Sequence, residues 1–130
     1  MSDLATFLRA RLAEDEQAAR EAQPGPWHIG NAVDPTQPCN VHTFPTAGGV
    51  ADGLRWLDAE HIVRHAPARV LAEVEAKRRI INEHQQATPG WCATCDIPGD
   101  YKGLPEGCMT VRLLALPYAD HSVYREEWRP

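Results

Sequence analysis

Three cysteines and a histidine constrain this chain more than anything else in it: His84, then Cys92-Ala93-Thr94-Cys95, then Cys108 after twelve intervening residues. A Cys-x-x-Cys turn offers two sulfurs to one ion. A third cysteine about a dozen residues on is the spacing of a tetrahedral zinc knuckle, which one further nitrogen or sulfur completes. The stretch between Cys95 and Cys108 reads Asp-Ile-Pro-Gly-Asp-Tyr-Lys-Gly-Leu-Pro-Glu-Gly, with no apolar period and little to bury. A metal staple is the expected means of ordering it.

Metal is favoured over disulfides by the compartment. The first twenty residues are charged and amphipathic and lack the apolar core of a signal peptide. No stretch approaches the roughly 18–20 apolar residues of a membrane span. A cytoplasmic setting follows as the expectation, and there clustered thiols hold metal more often than they oxidise. With 13 basic against 18 acidic residues the net charge is −5, and the densest basic cluster is only Lys77-Arg78-Arg79. Nucleic acid is therefore a disfavoured partner.

At 130 residues the chain is read as one domain, 1–130, with one modest core. Ser2 is placed to cap a helix running to about Ala22, with Leu4, Phe7, Leu8 and Leu12 on one face. That face docks on the core or serves as a dimer or partner surface. Gln23-Pro24-Gly25-Pro26 stops the helix. Strand-like pieces follow at Trp27-Ile29, Val41-Phe44, Val50-Ala51 and Leu54-Trp56, separated by turn residues, and predict a small antiparallel meander. Asp58 is the expected N-cap of a short helix to His65. Pro67 suits the first position of a longer helix to about Gln86, with Val70, Leu71, Val74 and Ile81 in a stripe and Glu73 spaced to pair with Lys77. Val111 to Leu116, poor in β-branched residues and stopped by Pro117, leans towards a short helix. The tail from Tyr118, carrying Tyr124 and Trp128, is expected to lie extended over the body. The fold class is α+β: an N-terminal helix, a β-meander, and a C-terminal helical hairpin with a metal-clamped loop.

In such a hairpin Cys108 returns to the end of the long helix, where His84 sits. His121 follows Cys108 by 13 residues, roughly 20 Å if the run is helical. His84 is therefore the preferred fourth ligand, with Cys39 and His42 as alternatives from a Cys-x-x-His spacing. Trp91-Cys92-Ala93-Thr94-Cys95 also has the thioredoxin-like spacing. Its flanks, Thr88-Pro89-Gly90 and Ile97-Pro98-Gly99, supply neither the strand nor the helix N-terminus that lowers the pKa of a redox thiol. His61 and His65 stand i,i+4 on a helix, but Glu60 precedes the first histidine instead of following it as in a metalloprotease helix. With Asp120 and His121 they compose a rival metal-dependent hydrolase site.

Several motifs in order, namely Phe7-Leu8-Arg9-Ala10-Arg11-Leu12, Pro24-Gly25-Pro26-Trp27, Asp58-Ala59-Glu60-His61-Ile62, Pro67-Ala68-Arg69-Val70-Leu71, Glu75-Ala76-Lys77-Arg78-Arg79-Ile80 and Leu113-Leu114-Ala115-Leu116-Pro117-Tyr118-Ala119-Asp120-His121, resemble a family of small proteins of unknown function from actinobacteria and their phages. The resemblance spans nearly the whole chain. It implies a cytoplasmic setting in such a cell and brings no activity or catalytic residues. The expected function is a non-enzymatic interaction or regulatory protein with a protein partner and structural zinc on Cys92, Cys95, Cys108 and His84.

Overall fold

The computed structural model describes residues 2–30, 34–43, 48–88, 91–95, 97–98 and 107–130. Phe44, Pro89-Gly90 and most of the Cys95–Cys108 loop lie outside them. The contacts gather into two units, one of Met1–Glu14 with Val74–Pro130 and one of Asp15–Glu73.

The unit Asp15–Glu73 is built on strands β1 (Trp27–Gly30), β2 (Cys39–Thr43) and β3 (Gly49–Leu54), ordered β1-β2-β3 and antiparallel throughout. This is the meander expected from the turn residues. Along β2 burial alternates, with Cys39, Val41 and Thr43 inward and Asn40 and His42 half-buried. Helix α2 (Trp56–Arg64) lays Ala59 against Cys39 and Val41, and Trp27, Ile29, Val50, Leu54, Ile62 and Val63 close around them. A three-stranded sheet needs such a helix, because alone it is marginal in water.

Two expectations change here. The pieces Val50-Ala51 and Leu54-Trp56 do not form separate strands. Gly53, at φ +67°, carries the backbone through the left-handed region so that β3 runs on to Leu54, and Trp56 opens α2. Asp58 is not the N-cap either. Arg55 holds that position without a side-chain cap, and Asp58 in the first turn accepts Nε and Nη2 of Arg55 at 2.9 and 3.2 Å. A two-pronged guanidinium is a stronger partner for a carboxylate than a single backbone N–H.

The other unit joins both ends of the chain. Helix α1 (Asp3–Glu21) starts where expected, with the Ala5 N–H donating to Ser2 Oγ at 3.1 Å. Leu4, Phe7, Leu8 and Leu12 are all buried, so this face is core. Helix α3 (Pro67–Glu83) contributes Val74 and Ile81 to the buried set, and Arg9 Nη2 donates to Asn82 Oδ1 at 2.8 Å. Upstream on α3, in the stretch that belongs to the unit Asp15–Glu73, Arg69 Nε grips Glu73 at 2.9 Å. Helix α4 (Met109–Ala115) buries Val111 and Ala115 and continues as a 3₁₀ turn, Leu116–Tyr118.

The tail is turned, not extended. A second 3₁₀ turn, Glu126–Trp128, sets Trp128 5.2 Å from the Phe7 ring, and Tyr124 meets both rings edge-on at 5.9 and 5.7 Å. Coiling brings Tyr124 and Trp128 to the same side, where both reach Phe7; Trp128 is 1% exposed. Between α3 and α4 lies a second small sheet that the sequence did not announce. Its strands β4 (Gln86–Thr88), β5 (Trp91–Cys92) and β6 (Ile97–Pro98) are antiparallel, with Cys92 on the central strand opposite Gln86 and Ile97.

Candidate metal centre

His84 directly follows α3, and its N–H still reaches the carbonyls of Ile80 and Ile81 at 3.1 and 3.2 Å. The next residues turn into β4, and β5 runs back so that Cys92 faces the helix end. The turn Ala93–Cys95 is tied there by the Thr94 hydroxyl, which donates to the Glu83 carbonyl. That carbonyl belongs to the last helical turn and has no partner within the helix. On the other side, Gly107 delivers Cys108 to the start of α4. Its φ is +81°, and a Cβ there would lie 2.6 Å from Leu4 Cδ2. Arg112, 3% exposed, donates Nε to the Gly107 carbonyl at 3.1 Å and so fixes the same corner.

These supports bring four donors together. His84 Nδ1 lies 3.6 Å from Cys92 Sγ, 3.3 Å from Cys95 Sγ and 3.5 Å from Cys108 Sγ. In a zinc tetrahedron, with Zn–S about 2.3 Å and Zn–N about 2.0–2.1 Å, the N···S edge is about 3.5 Å. The three observed edges match it. All four ligand atoms fall within 4.8 Å of one another, against an S···S edge of about 3.8 Å, so an ion bound there would draw the sulfurs inward. Cys92 and Cys108 are buried and Cys95 and His84 half-buried. Four protein donors leave no position for water, which is the character of a structural site.

Electrostatics point the same way. Burial raises the Cys92 thiol, but hydrogen bonds from the backbone and thiol of Cys95, from Cys108 and from the Thr94 backbone outweigh it and hold Cys92 below the ordinary value. Burial, followed by the Cys92 and Cys108 thiols, pushes Cys95 up to about 11. Sulfurs this close do not all ionise unless a cation joins them. Zinc with three thiolates and a neutral imidazole carries a net −1, and the buried Arg112 guanidinium one helical turn beyond Cys108 is a fixed positive charge on that side.

The other candidates do not assemble in this way. Cys39 and His42 lie three residues apart on β2 and so face opposite sides of the sheet; Cys39 donates its thiol to the Leu54 carbonyl at 3.4 Å. His65 caps the end of α2, with Nδ1 2.7 Å from the His61 carbonyl. His121 accepts the Val123 N–H on Nδ1 at 3.1 Å, its Nε2 meets the Arg11 guanidinium, and its edge meets Phe7. Among the described residues, the His84 cluster is the one group of three or more histidine, cysteine or acidic side chains able to share an ion. No described helix is long and apolar enough to cross a membrane.

Sequence reasoning did not single out Thr94, Gly107 or Arg112. The signals were a threonine inside the Cys-x-x-Cys, a glycine directly before a cysteine, and a lone arginine in an apolar run. No curated protein and no solved structure matches the chain. A family model covers all of residues 1–130, and the chain accordingly belongs to that family, described as a family of unknown function (DUF6221).

Proposed function

We propose that this protein is a small cytoplasmic interaction or regulatory protein of an actinobacterial or phage-infected cell, acting as a single domain whose α3–α4 connection is held by structural zinc on His84, Cys92, Cys95 and Cys108. The observation that carries the metal reading is the set of three Nδ1···Sγ distances between 3.3 and 3.6 Å. Zinc suits it best among common ions, since three thiolates and an imidazole in a closed tetrahedron are its structural donor set.

The interaction reading is supported by α4. Its inner face is spent on Val111 and Ala115, while Met109, Leu113 and Leu116 follow one another at i, i+4 and i+7 and remain 51%, 52% and 37% exposed. Together with the net charge of −5, an outward apolar stripe on a rigid corner suits a protein partner better than nucleic acid. That one domain spans the chain is supported by α1 and α3, each of which runs from one unit into the other.

The test is metal content. Protein purified without added metal carries one zinc per chain by elemental analysis and native mass spectrometry, and His84→Ala loses it to a mild chelator. Metal-free wild type with four freely titrating thiols overturns the reading.

A further inference from the structure

On the outer face of the meander a second set of donors converges, independent of the cysteine cluster. His28 and His42 are direct partners across β1 and β2, and Gly30 and Asn40 are the next such pair on the same face. The two imidazole centres are 6.3 Å apart. Two imidazoles bound to one ion at about 2.0–2.1 Å hold their ring centres about 5.2 Å apart at the tetrahedral angle and about 6.4 Å apart when opposed. The observed spacing falls at the wide end of that range, and a small swing of either ring covers the rest.

The glycine lets His42 and Asn40 lie close over β1. A side chain at position 30 would place its first carbon 2.9 Å from both His42 Nδ1 and Asn40 Oδ1 and 2.6 Å from His42 Cε1. The His42 ring and the Asn40 amide oxygen thus lie together over Gly30, both within 2.9 Å of one point, where any larger residue would push them apart. Asn40 Oδ1 is buried and accepts no hydrogen bond, an arrangement that costs free energy unless a donor or cation meets it. On the other flank His42 stands opposite Gly49, where a Cβ would meet nothing within 4 Å. Gly30 lets the imidazole lie over β1, and Gly49 leaves open ground beside it on β3.

We propose that His28, His42 and Asn40 form a binding site for a divalent transition-metal ion, with His42 Nδ1 and Asn40 Oδ1 as inner donors, the His28 imidazole closing from β1, and water completing the shell. Imidazole with an amide oxygen selects ions of the zinc, nickel and copper group over magnesium or calcium, which prefer all-oxygen shells. Open on one side, this site exchanges its ion, in contrast to the closed cysteine cluster.

The experiment uses Ni²⁺ on zinc-loaded protein, followed by calorimetry and by paramagnetic broadening of amide signals. One Ni²⁺ binds per chain, and broadening centres on residues 28–30 and 40–42. Loss of an outer-shell partner alone lowers metal affinity ~10–100-fold, so His28→Ala and His42→Ala each weaken binding by about tenfold or more. Asn40→Asp, which exchanges a neutral oxygen donor for a charged one, tightens it, an outcome that a merely structural role for Asn40 does not produce. Circular dichroism of each variant confirms that the sheet persists. Broadening centred on His61 and His65, or a Ni²⁺ affinity unchanged in His42→Ala, overturns the proposal. So does the absence of any Ni²⁺ binding.

Discussion

Gly107→Ala tests how the metal loop is seated. The substitution adds one methyl at a residue with φ +81°, 2.6 Å from Leu4 Cδ2. Holding a non-glycine residue in the left-handed region costs ~1–2 kcal/mol. Ordinary carbon–carbon contact is about 3.5–4.0 Å, so Leu4 or the loop must give by roughly 1 Å. Leu4 is 0% exposed and has nowhere to go, and overpacking of that kind costs ~1–3 kcal/mol. The expected loss is ~2–5 kcal/mol, or a fall in Tm of ~8–20 °C at about 4 °C per kcal/mol for a chain of this size. Leu4→Ala removes the collision but not the backbone strain. In that background Gly107→Ala should therefore cost only ~1–2 kcal/mol, a coupling of ~1–3 kcal/mol in a double-mutant cycle. Urea denaturation of the four zinc-loaded proteins measures it. Because Cys108 is the next residue, Gly107→Ala also surrenders zinc faster to a competing chelator. Equal costs in the two backgrounds would refute the packing of Gly107 on Leu4.

Other outcomes follow from the same structure. Phe7→Ala removes the ring on which Trp128, Tyr124 and His121 rest and costs ~3–5 kcal/mol by denaturant unfolding; a variant that melts like wild type would contradict a core role. Cys39→Ala, on the inner face of the meander, leaves zinc stoichiometry at the wild-type value by elemental analysis. Leu113→Glu, on the exposed face of α4, changes stability by no more than ~0.5 kcal/mol but weakens capture of the partner or self-association. In metal-free protein, thiolate absorbance rises in separate steps, one below the ordinary thiol value and one at about 11, as coupled groups require. The raised Cys95 thiol is a source of stability at neutral pH that fades as pH climbs from 9.0 through about 11, because the unfolded chain sheds that proton first. Zinc abolishes the late step; a single unshifted titration in the metal-free form would remove the argument from crowding.

The parts of this fold that were readable in advance are those governed by near neighbours in the chain. Ser2, the apolar stripe of α1, the stop at Pro24-Gly25-Pro26 and the start of α3 at Pro67 all depend on spacing along the chain, and each appears in the structure. The four convergent residues were legible because Cys-x-x-Cys fixes two sulfurs locally and a helical hairpin fixes the third. Elements set by tertiary competition were not. Asp58 looks like a cap until Arg55 is seen to claim it. The small β4–β6 sheet has strands of two or three residues, too short for any period to register. Gly49 reads with Gly48 as ordinary turn punctuation and Gly30 carries no signal of its own, and only strand register shows which side chains lie beside them.

The burial of Trp128 against Phe7 sets an order of events during synthesis. The unit Asp15–Glu73 is one uninterrupted run, so its contacts can form as soon as that run has left the ribosome. The other unit draws on Met1–Glu14 and on residues up to Pro130, and its aromatic cluster is completed only when Trp128 emerges. At ~5–20 residues per second, roughly 6–26 s separate the two ends. Throughout that interval the apolar stripe of α1 lacks its final cover. Truncation before residue 128 should therefore yield aggregation-prone protein even though the metal ligands are all present.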